Sequence, residues 1–388
     1  MTGDPGSGVV YLGGTDWAHV AATDRHLTLA LADLLGPSLY VDPVVSVSGT
    51  LRRRLAGEET VPMGLSTVAP RVTRLRTLGP PFLTRRGVFP LTRALQAAAV
   101  RHAVARCGIR PVAVVLATPW NSFVPGLPGH RVLYLTDDWE AGAVLTGKTG
   151  EGVRGQLGRE LARADLACAV TPVLVDKLSR LDPDRPVELV PNGCALPARD
   201  MSAQRPGDLP AGPLVGLVGQ VNERLDLDVL HAIVDSGMSL VVIGPLTCSS
   251  PAITRRFQAL FARQRVTWLG RKAPEELSRY LPHLTVGVTP YRIDDFNRAS
   301  FPLKTLEYLA YGLPVVASDL PAAQWLGSEL VDIATTSEDF VALVARRYAE
   351  PPDPATADLR RRLAGAHTWQ HRAAQLVEAL TSRSPSRA

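Results

Sequence analysis

Short runs of β-branched and apolar residues alternate with helical apolar spacing from Val9 to Val190, and after an interruption the alternation begins again. This double alternation is the strongest constraint on the fold. Strands separated by helices imply right-handed βαβ units and parallel sheets, so the chain reads as α/β with two successive doubly wound domains. Strands are predicted at Val9–Leu12, Leu39–Val44, Ala113–Ala117, Val132–Leu135, Leu166–Val170 and Val187–Val190. Helical spacing covers Asp24–Leu35, Leu91–Arg106 and Val153–Ala164. The stretch Leu196–Pro213 has no period and is rich in proline, which reads as a linker. Beyond it, strands are predicted at Leu214–Val218, Leu240–Ile243, Val266–Leu269, Val286–Thr289 and Pro314–Ala317, with helices near 226–236, 251–263, 274–280 and 301–311. The expected division is 1–196, a linker over 197–213, 214–366, and a last helix with a frayed tail over 367–388. Two such domains facing across a cleft would place a ligand there.

Composition excludes several classes. With 46% hydrophobic and 20% charged residues among 388, the chain is neither disordered nor fibrous. No apolar run approaches the roughly 20 residues that span a bilayer, and MTGDPGSG is not a signal peptide, so a cytoplasmic protein is expected. Cys107, Cys168, Cys194 and Cys248 form no C-x-x-C pair and read as buried thiols. A net charge of +5 is too small and dispersed for nucleic acid, though it suits phosphate-bearing ligands. Eight arginines lie in Val45–Gly87, where a solvated face, a lipid-phosphate acceptor or a peripheral membrane contact are all open readings.

The segment richest in chemistry is TPYRIDDFNRASFPLKTLEYLAYGLPVVASD, Thr289–Asp319. Ser300 is the expected N-cap of its helix and Gly312 the terminating glycine. Lys304 and Glu307, three apart, share a face. A lysine at the positive end of the helix dipole makes more sense if an anion occupies the helix N-terminus. LVGLVGQVNERLD at Leu214–Asp226 is a strand running into a glycine loop, in which Gly219 permits close backbone approach and Arg224 could reach a diphosphate. It lacks G-x-G-x-x-G, so a nicotinamide cofactor is not expected. After the first strand, Gly13-Gly14 would expose backbone amides, with Asp16 close behind. In YLTDDWEAG, Asp137 and Asp138 resemble a metal pair only superficially, and no metal site is expected.

Taken together these segments resemble nucleotide-sugar-dependent glycosyltransferases of GT-B fold, in the retaining family 4 group. FPLKTLEYLAYGLPVVASD is similar to the donor-binding block of that family; YLTDDW, ELARADLACAVTPVLVDKL, VPNGC, VTWLGRKAPEELSRYL and HTWQHRAAQLVEAL resemble further blocks. The resemblance implies that Glu307 holds the nucleotide ribose and Lys304 contacts the diphosphate, with Ser300 and its neighbours offering amides. It makes Arg271 a neighbour of the base or ribose, assigns acceptor binding to the first domain and donor binding to the second, and sends the last helix back to the first. The family's usual second glutamate is replaced by Ala299, which Asp294 or Asp295 would only partly replace.

The expected activity is transfer of a hexosyl group from a UDP- or GDP-linked sugar to an acceptor hydroxyl, without a bound cofactor or metal. The acceptor would be a sugar, a lipid-linked sugar or a small natural product. Lys304 and Arg224 would carry the leaving-group charge. If the reaction inverts, Asp16 and Asp138 are the candidate bases. The alternatives are a non-catalytic nucleotide-sugar binding protein and a GT-B epimerase.

Overall fold

The computed structural model describes residues 6–18, 22–55, 62–81, 83, 87–146, 149–197, 204–327, 329–351 and 353–382. The chain divides into two compact units, Met1–Pro191 with Trp369–Ala388, and Asn192–Thr368.

The first unit contains strands β1 (Ser7–Leu12), β2 (Ser38–Val41), β3 (Val45–Ser46), β4 (Gly64–Ala69), β5 (Val72–Arg76), β6 (Leu78–Gly79), β7 (Arg110–Leu116), β8 (His130–Leu135), β9 (Leu166–Ala169) and β10 (Val187–Leu189). Its helices are α1 (Thr23–Leu35), α2 (Val47–Leu55), α3 (Phe89–Cys107), α4 (Gly150–Arg163) and α5 (Pro172–Leu181), together with the chain's last helix. Eight strands form one sheet in the order β10-β9-β8-β7-β1-β2-β5-β4; β3 and β6 pair separately. All pairs of the large sheet are parallel except β4 with β5. Val9, Val10, Tyr11 and Leu12 are fully buried, as befits a central parallel strand covered on both faces.

The β4–β5 pair lies in the basic stretch where no strand was expected. Arg74 and Arg76 of β5 are buried, and their charges are met by carboxylates: Arg74 binds Asp42 through Nε (2.6 Å) and Asp16 through Nη2 (2.6 Å), and Arg76 reaches Asp16 at 3.2 Å. A buried strand carrying two paired arginines has no apolar signature.

The second unit contains β11 (Val215–Val218), β12 (Leu240–Ile243), β13 (Val266–Trp268), β14 (Val286–Thr289), β15 (Val315–Ser318) and β16 (Val331–Ala334). Between and after them run α6 (Leu227–Asp235), α7 (Pro251–Phe261), α8 (Pro274–Tyr280), α9 (Asp295–Ala299), α10 (Leu303–Ala310), α11 (Pro321–Trp325), α12 (Ser337–Ala349) and α13 (Pro354–Gly365); Trp369–Thr381, α14, completes the first unit. The six strands are parallel in the order β13-β12-β11-β14-β15-β16. Counted within the unit this is 3-2-1-4-5-6, the doubly wound order whose direction of winding reverses between β11 and β14. Ligands of such sheets bind beyond the carboxyl ends of the strands at that reversal.

Helix starts follow local chemistry. Asp226 accepts from the amides of Asp228 and Val229, and Ser250, Thr336 and Asp353 cap α7, α12 and α13 in the same way. Residues 204–213 of the expected linker are held on the second unit. Asp208 accepts from Lys272 (3.2 Å) and Tyr280 (3.0 Å), and Leu209 is buried. Residues 198–203 of that linker, and the expected tail from 383, lie outside the described residues.

Candidate functional site

At the reversal point the chain leaves β11 through Gly219, whose φ of 136° is a region that L side chains rarely adopt. Gly244, after the neighbouring β12, backs directly onto it: a Cβ there would meet the Gly219 carbonyl oxygen at 1.7 Å. On the other side stands α10. Its Tyr308 is fully buried, and its hydroxyl donates to the Gly216 carbonyl (3.0 Å) and accepts from the Val218 amide (2.8 Å). The ring occupies space that Gly287 leaves by having no side chain, since a Cβ there would lie 2.4 Å from the ring. Tyr308 thus fixes α10 against the end of β11.

This anchor brings Lys304 beside Gly219. A Cβ at Gly219 would be 3.8 Å from the lysine's Cε and Cγ. Lys304 Nζ lies 2.5 Å from Glu307 Oε2, each side chain about one-fifth exposed. The pair is therefore the i,i+3 ion pair expected of these positions, in its less favourable orientation. No side chain caps α10, so its first-turn amides lack the partners that α7, α9, α12 and α13 receive.

Ser300 is not the cap of this helix. Its amide donates to Asn297 O and its hydroxyl to Phe296 O, closing the short helix α9, and Pro302 occupies the N-cap position. Pro302 then fixes the turn into α10 and has no N–H to leave unsatisfied. Asp294 caps α9 by accepting from the Asn297 amide (2.8 Å), Asp295 is exposed, and Ala299 is fully buried.

Arg224 is held in the loop after β11 rather than being a free surface charge. Its Nε donates to Asn297 Oδ1 (2.9 Å), and its guanidinium lies 5.3 Å from the Tyr291 ring centroid and 5.0 Å from that of Phe296. Asn297 is fully buried and ties both segments by donating to the carbonyls of Arg224 and Arg292. The sequence reading did not single out Asn297 or Tyr308, because the burial of each and the fit of Tyr308 against Gly287 arise only in the fold. Glu223 faces away, accepting from Ser249 and Ser250, whose amides draw its carboxyl below the usual range against the effect of partial burial. Arg271 is exposed on the loop after β13.

In the first unit the glycine loop is closed rather than open. Gly13 N donates to Val41 O (3.0 Å), and Gly14 N donates to Asp24 Oδ2 (2.8 Å), so neither amide is offered outward as expected. Asp16 is bound by Arg74 and Arg76. Asp138 accepts from Lys177 Nζ (2.5 Å) and from the amides of Glu140 (3.1 Å) and Ala141 (2.9 Å). Both candidate bases thus serve as ion-pair and capping groups here. Among the described residues, no three His, Cys, Asp or Glu side chains gather as a metal-ligand set.

The titratable group that sequence reasoning missed is Asp24. It is 3% exposed and accepts from Tyr11 Oη (3.0 Å), Gly14 N and Thr15 Oγ1 (3.4 Å). Burial outweighs these donors and pushes its carboxyl up to about 6. A carboxyl raised in the native state contributes stability below the unfolded value near 3.8, and that contribution is lost as pH rises through 6. Denaturation from pH 4 to 7 is expected to show wild type losing on the order of 2–3 kcal/mol relative to Asp24→Asn. A difference that stays flat over this range overturns the assignment.

Known proteins share the fold. Residues 212–349 match the family described as Glycosyl transferases group 1. TuaH of Bacillus subtilis (strain 168), named for glycosyl transfer in teichuronic acid biosynthesis, is 27% identical over 163 residues, 41% of this chain and 40% of TuaH. Sucrose-phosphate synthase from Thermosynechococcus elongatus is 19% identical, with a TM-score of 0.73 over 97% of this chain and 98% of that one. Anabaena Alr3699/HepE, solved in complex with UDP and glucose, is 12% identical, with a TM-score of 0.65 over 97% of this chain and 99% of its own. The chain therefore has the GT-B glycosyltransferase fold. The residues that match the Glycosyl transferases group 1 family, 212–349, lie within its second unit.

Proposed function

We propose that the protein transfers a hexosyl group from a UDP- or GDP-linked sugar to an acceptor hydroxyl, with retention at the anomeric carbon and without a divalent cation. The observation that carries this reading is the meeting, at the sheet's reversal point, of Gly219, the uncapped start of α10 and the Lys304–Glu307 pair. Bare amides and a lysine suit a diphosphate, and a carboxylate one residue before the anchoring tyrosine suits a ribose. The Glycosyl transferases group 1 match spans these residues, and the neighbour that holds UDP and glucose shares the fold.

In the proposed reaction the bond from the anomeric carbon to the diphosphate breaks as the acceptor oxygen bonds to the same face. The acceptor proton passes to the departing phosphate oxygen. Lys304, Arg224 and the helix amides stabilise the charge that builds on the diphosphate, the kind of fixed electrostatics that contributes most to such steps. TuaH is named for teichuronic acid biosynthesis, which favours an acceptor of that chemical class.

Glu307→Gln is expected to weaken binding of the native nucleoside diphosphate by roughly 1–3 kcal/mol in titration calorimetry while sparing the fold, because an amide accepts on one atom only. If wild type binds the 2′-deoxy nucleotide as tightly as the ribonucleotide, Glu307 is not the ribose ligand. Donor turnover without acceptor that yields only an isomer would favour an epimerase; no turnover with any acceptor would favour a binding protein.

A specific observation favours contact with an anionic lipid surface in addition. Among the described residues, six of the eleven exposed large hydrophobics lie between residues 47 and 95: Val47, Leu51, Leu55, Leu78, Leu91 and Leu95. Val47, Leu51 and Leu55 are spaced i,i+4 along α2, and Arg52 lies on the same helix. No helix among the described residues is long and apolar enough to cross a membrane, so such contact would be interfacial. Wild type is expected to sediment with vesicles containing phosphatidylglycerol but not with pure phosphatidylcholine vesicles, and Leu51→Glu/Leu55→Glu to remain in the supernatant. Equal sedimentation of wild type and variant overturns the reading.

A further inference from the structure

The second unit contains a concavity of about 920 Å³ at the opposite ends of its strands from Gly219 and Lys304. It is walled by the segments leading into β11, β14 and β15, the end of α12 and the first half of α13. Tyr311 and Tyr348 supply apolar walls, and the charged lining is Arg205, Arg347, Arg360 and Arg361 with the carboxylates Glu350 and Asp353. The size falls within the roughly 300–1,000 Å³ of small-molecule sites.

Arg360 sets this hollow apart. It is 5% exposed, and among the described residues its guanidinium makes one hydrogen bond, from Nη1 to the Gly312 carbonyl at 3.3 Å. Its Nε is buried without a hydrogen-bond partner, and so is that of Arg361. The carboxylates around Arg360 are committed elsewhere. Asp332 binds Arg346 and Arg347, Glu350 binds Arg347 at 2.8 Å, and Asp353 accepts from the amides of Ala355 and Thr356. Burial, and then the charge of Arg347, disfavour the protonated Arg360 guanidinium and outweigh the more distant pull of Asp332, Asp353 and Glu350. An arginine buried with no carboxylate in direct ion-pair contact is costly to the fold unless an anion completes it.

We propose that this hollow binds a phosphate-bearing small molecule, with the phosphate on Arg360 and the organic part against Tyr311 and Tyr348. The forked guanidinium matches a phosphate's geometry, and rings with proline edges suit a sugar or nucleoside body. The site is separate from the donor site proposed above and does not depend on that reading.

Hydrogen exchange of the wild-type chain with and without inorganic phosphate locates the anion without any substitution. Slowed exchange in 311–314 and 353–361 supports the proposal. Slowing confined to 303–307 and 219–224, or none at all, overturns it. Calorimetry with inorganic phosphate, a hexose 6-phosphate and a nucleoside monophosphate then separates free phosphate from an organic ester, the latter expected to bind more tightly because it fills the hollow. Arg360→Met is expected to raise the phosphate Kd by at least about tenfold and to hold or raise the ligand-free melting temperature, since it removes an unpaired buried charge. Lys304→Ala is expected to leave this binding intact. An unchanged Kd in Arg360→Met, or loss of binding in Lys304→Ala, overturns the assignment.

Discussion

Lys304→Ala is expected to lower turnover about 30- to 1,000-fold while moving the melting temperature by no more than about 2 °C. The asymmetry follows from the position of the lysine. Its ligand-free partner is Glu307 at i+3, a pair worth only about 0.5 kcal/mol in a helix and oriented against the dipole. A charge-assisted contact that strengthens as the diphosphate departs contributes on the order of 2–4 kcal/mol to the transition state. The assay belongs in excess EDTA, where wild-type activity is expected to persist because Lys304, Arg224 and the α10 amides supply the positive charge. Full activity in Lys304→Ala, or a wild type silenced by EDTA and restored by Mn²⁺, would remove this account of the leaving group.

Gly244→Ala is expected to be the most damaging single-methyl change at the site. The new Cβ would overlap a backbone carbonyl, that of Gly219, which cannot swing aside as a flexible side chain would. Gly244 also has a φ of 157° and is held on both sides: its amide donates to Gly270 O (2.8 Å) and its carbonyl accepts from Trp268 Nε1 (2.9 Å). Overpacking and backbone strain together are expected to cost on the order of 2–4 kcal/mol, read as a lower denaturation midpoint. Any variant that still folds should bind nucleoside diphosphate more weakly, because displacing Gly219 displaces the surface beside Lys304. A midpoint equal to wild type would show that the two glycines are not in fixed register.

Much of this was legible in the residues. LVVI at 240–243 is a fully buried strand flanked by loops, and Asp226 announces α6 as an N-cap. Lys304, Glu307, Gly219 and Arg224 were legible as charged or flexible positions next to strand ends. What hid the rest was partnership across long sequence distances. Arg74 and Arg76 disguise a strand because their carboxylates come from 16 and 42. Ser300 looks like a cap, yet its hydroxyl and amide belong to the helix before it. Asp16 and Asp138 look like free acids, and Gly13-Gly14 like free amides, until their partners are placed.

The last helix has a consequence for how the chain is made. α14 packs on α1, with the rings of His26 and Trp369 stacked 5.2 Å apart, and Gln375 donates to Leu189 O at 2.8 Å. The first unit thus has a seam whose final piece is translated after all of the second. A ribosome would release all of residues 192–368, a contiguous unit, while one flank of α1 in the first unit was still uncovered. Completion of the first unit therefore follows chain order only in part, since its packing on α1 is finished after the second unit has been made.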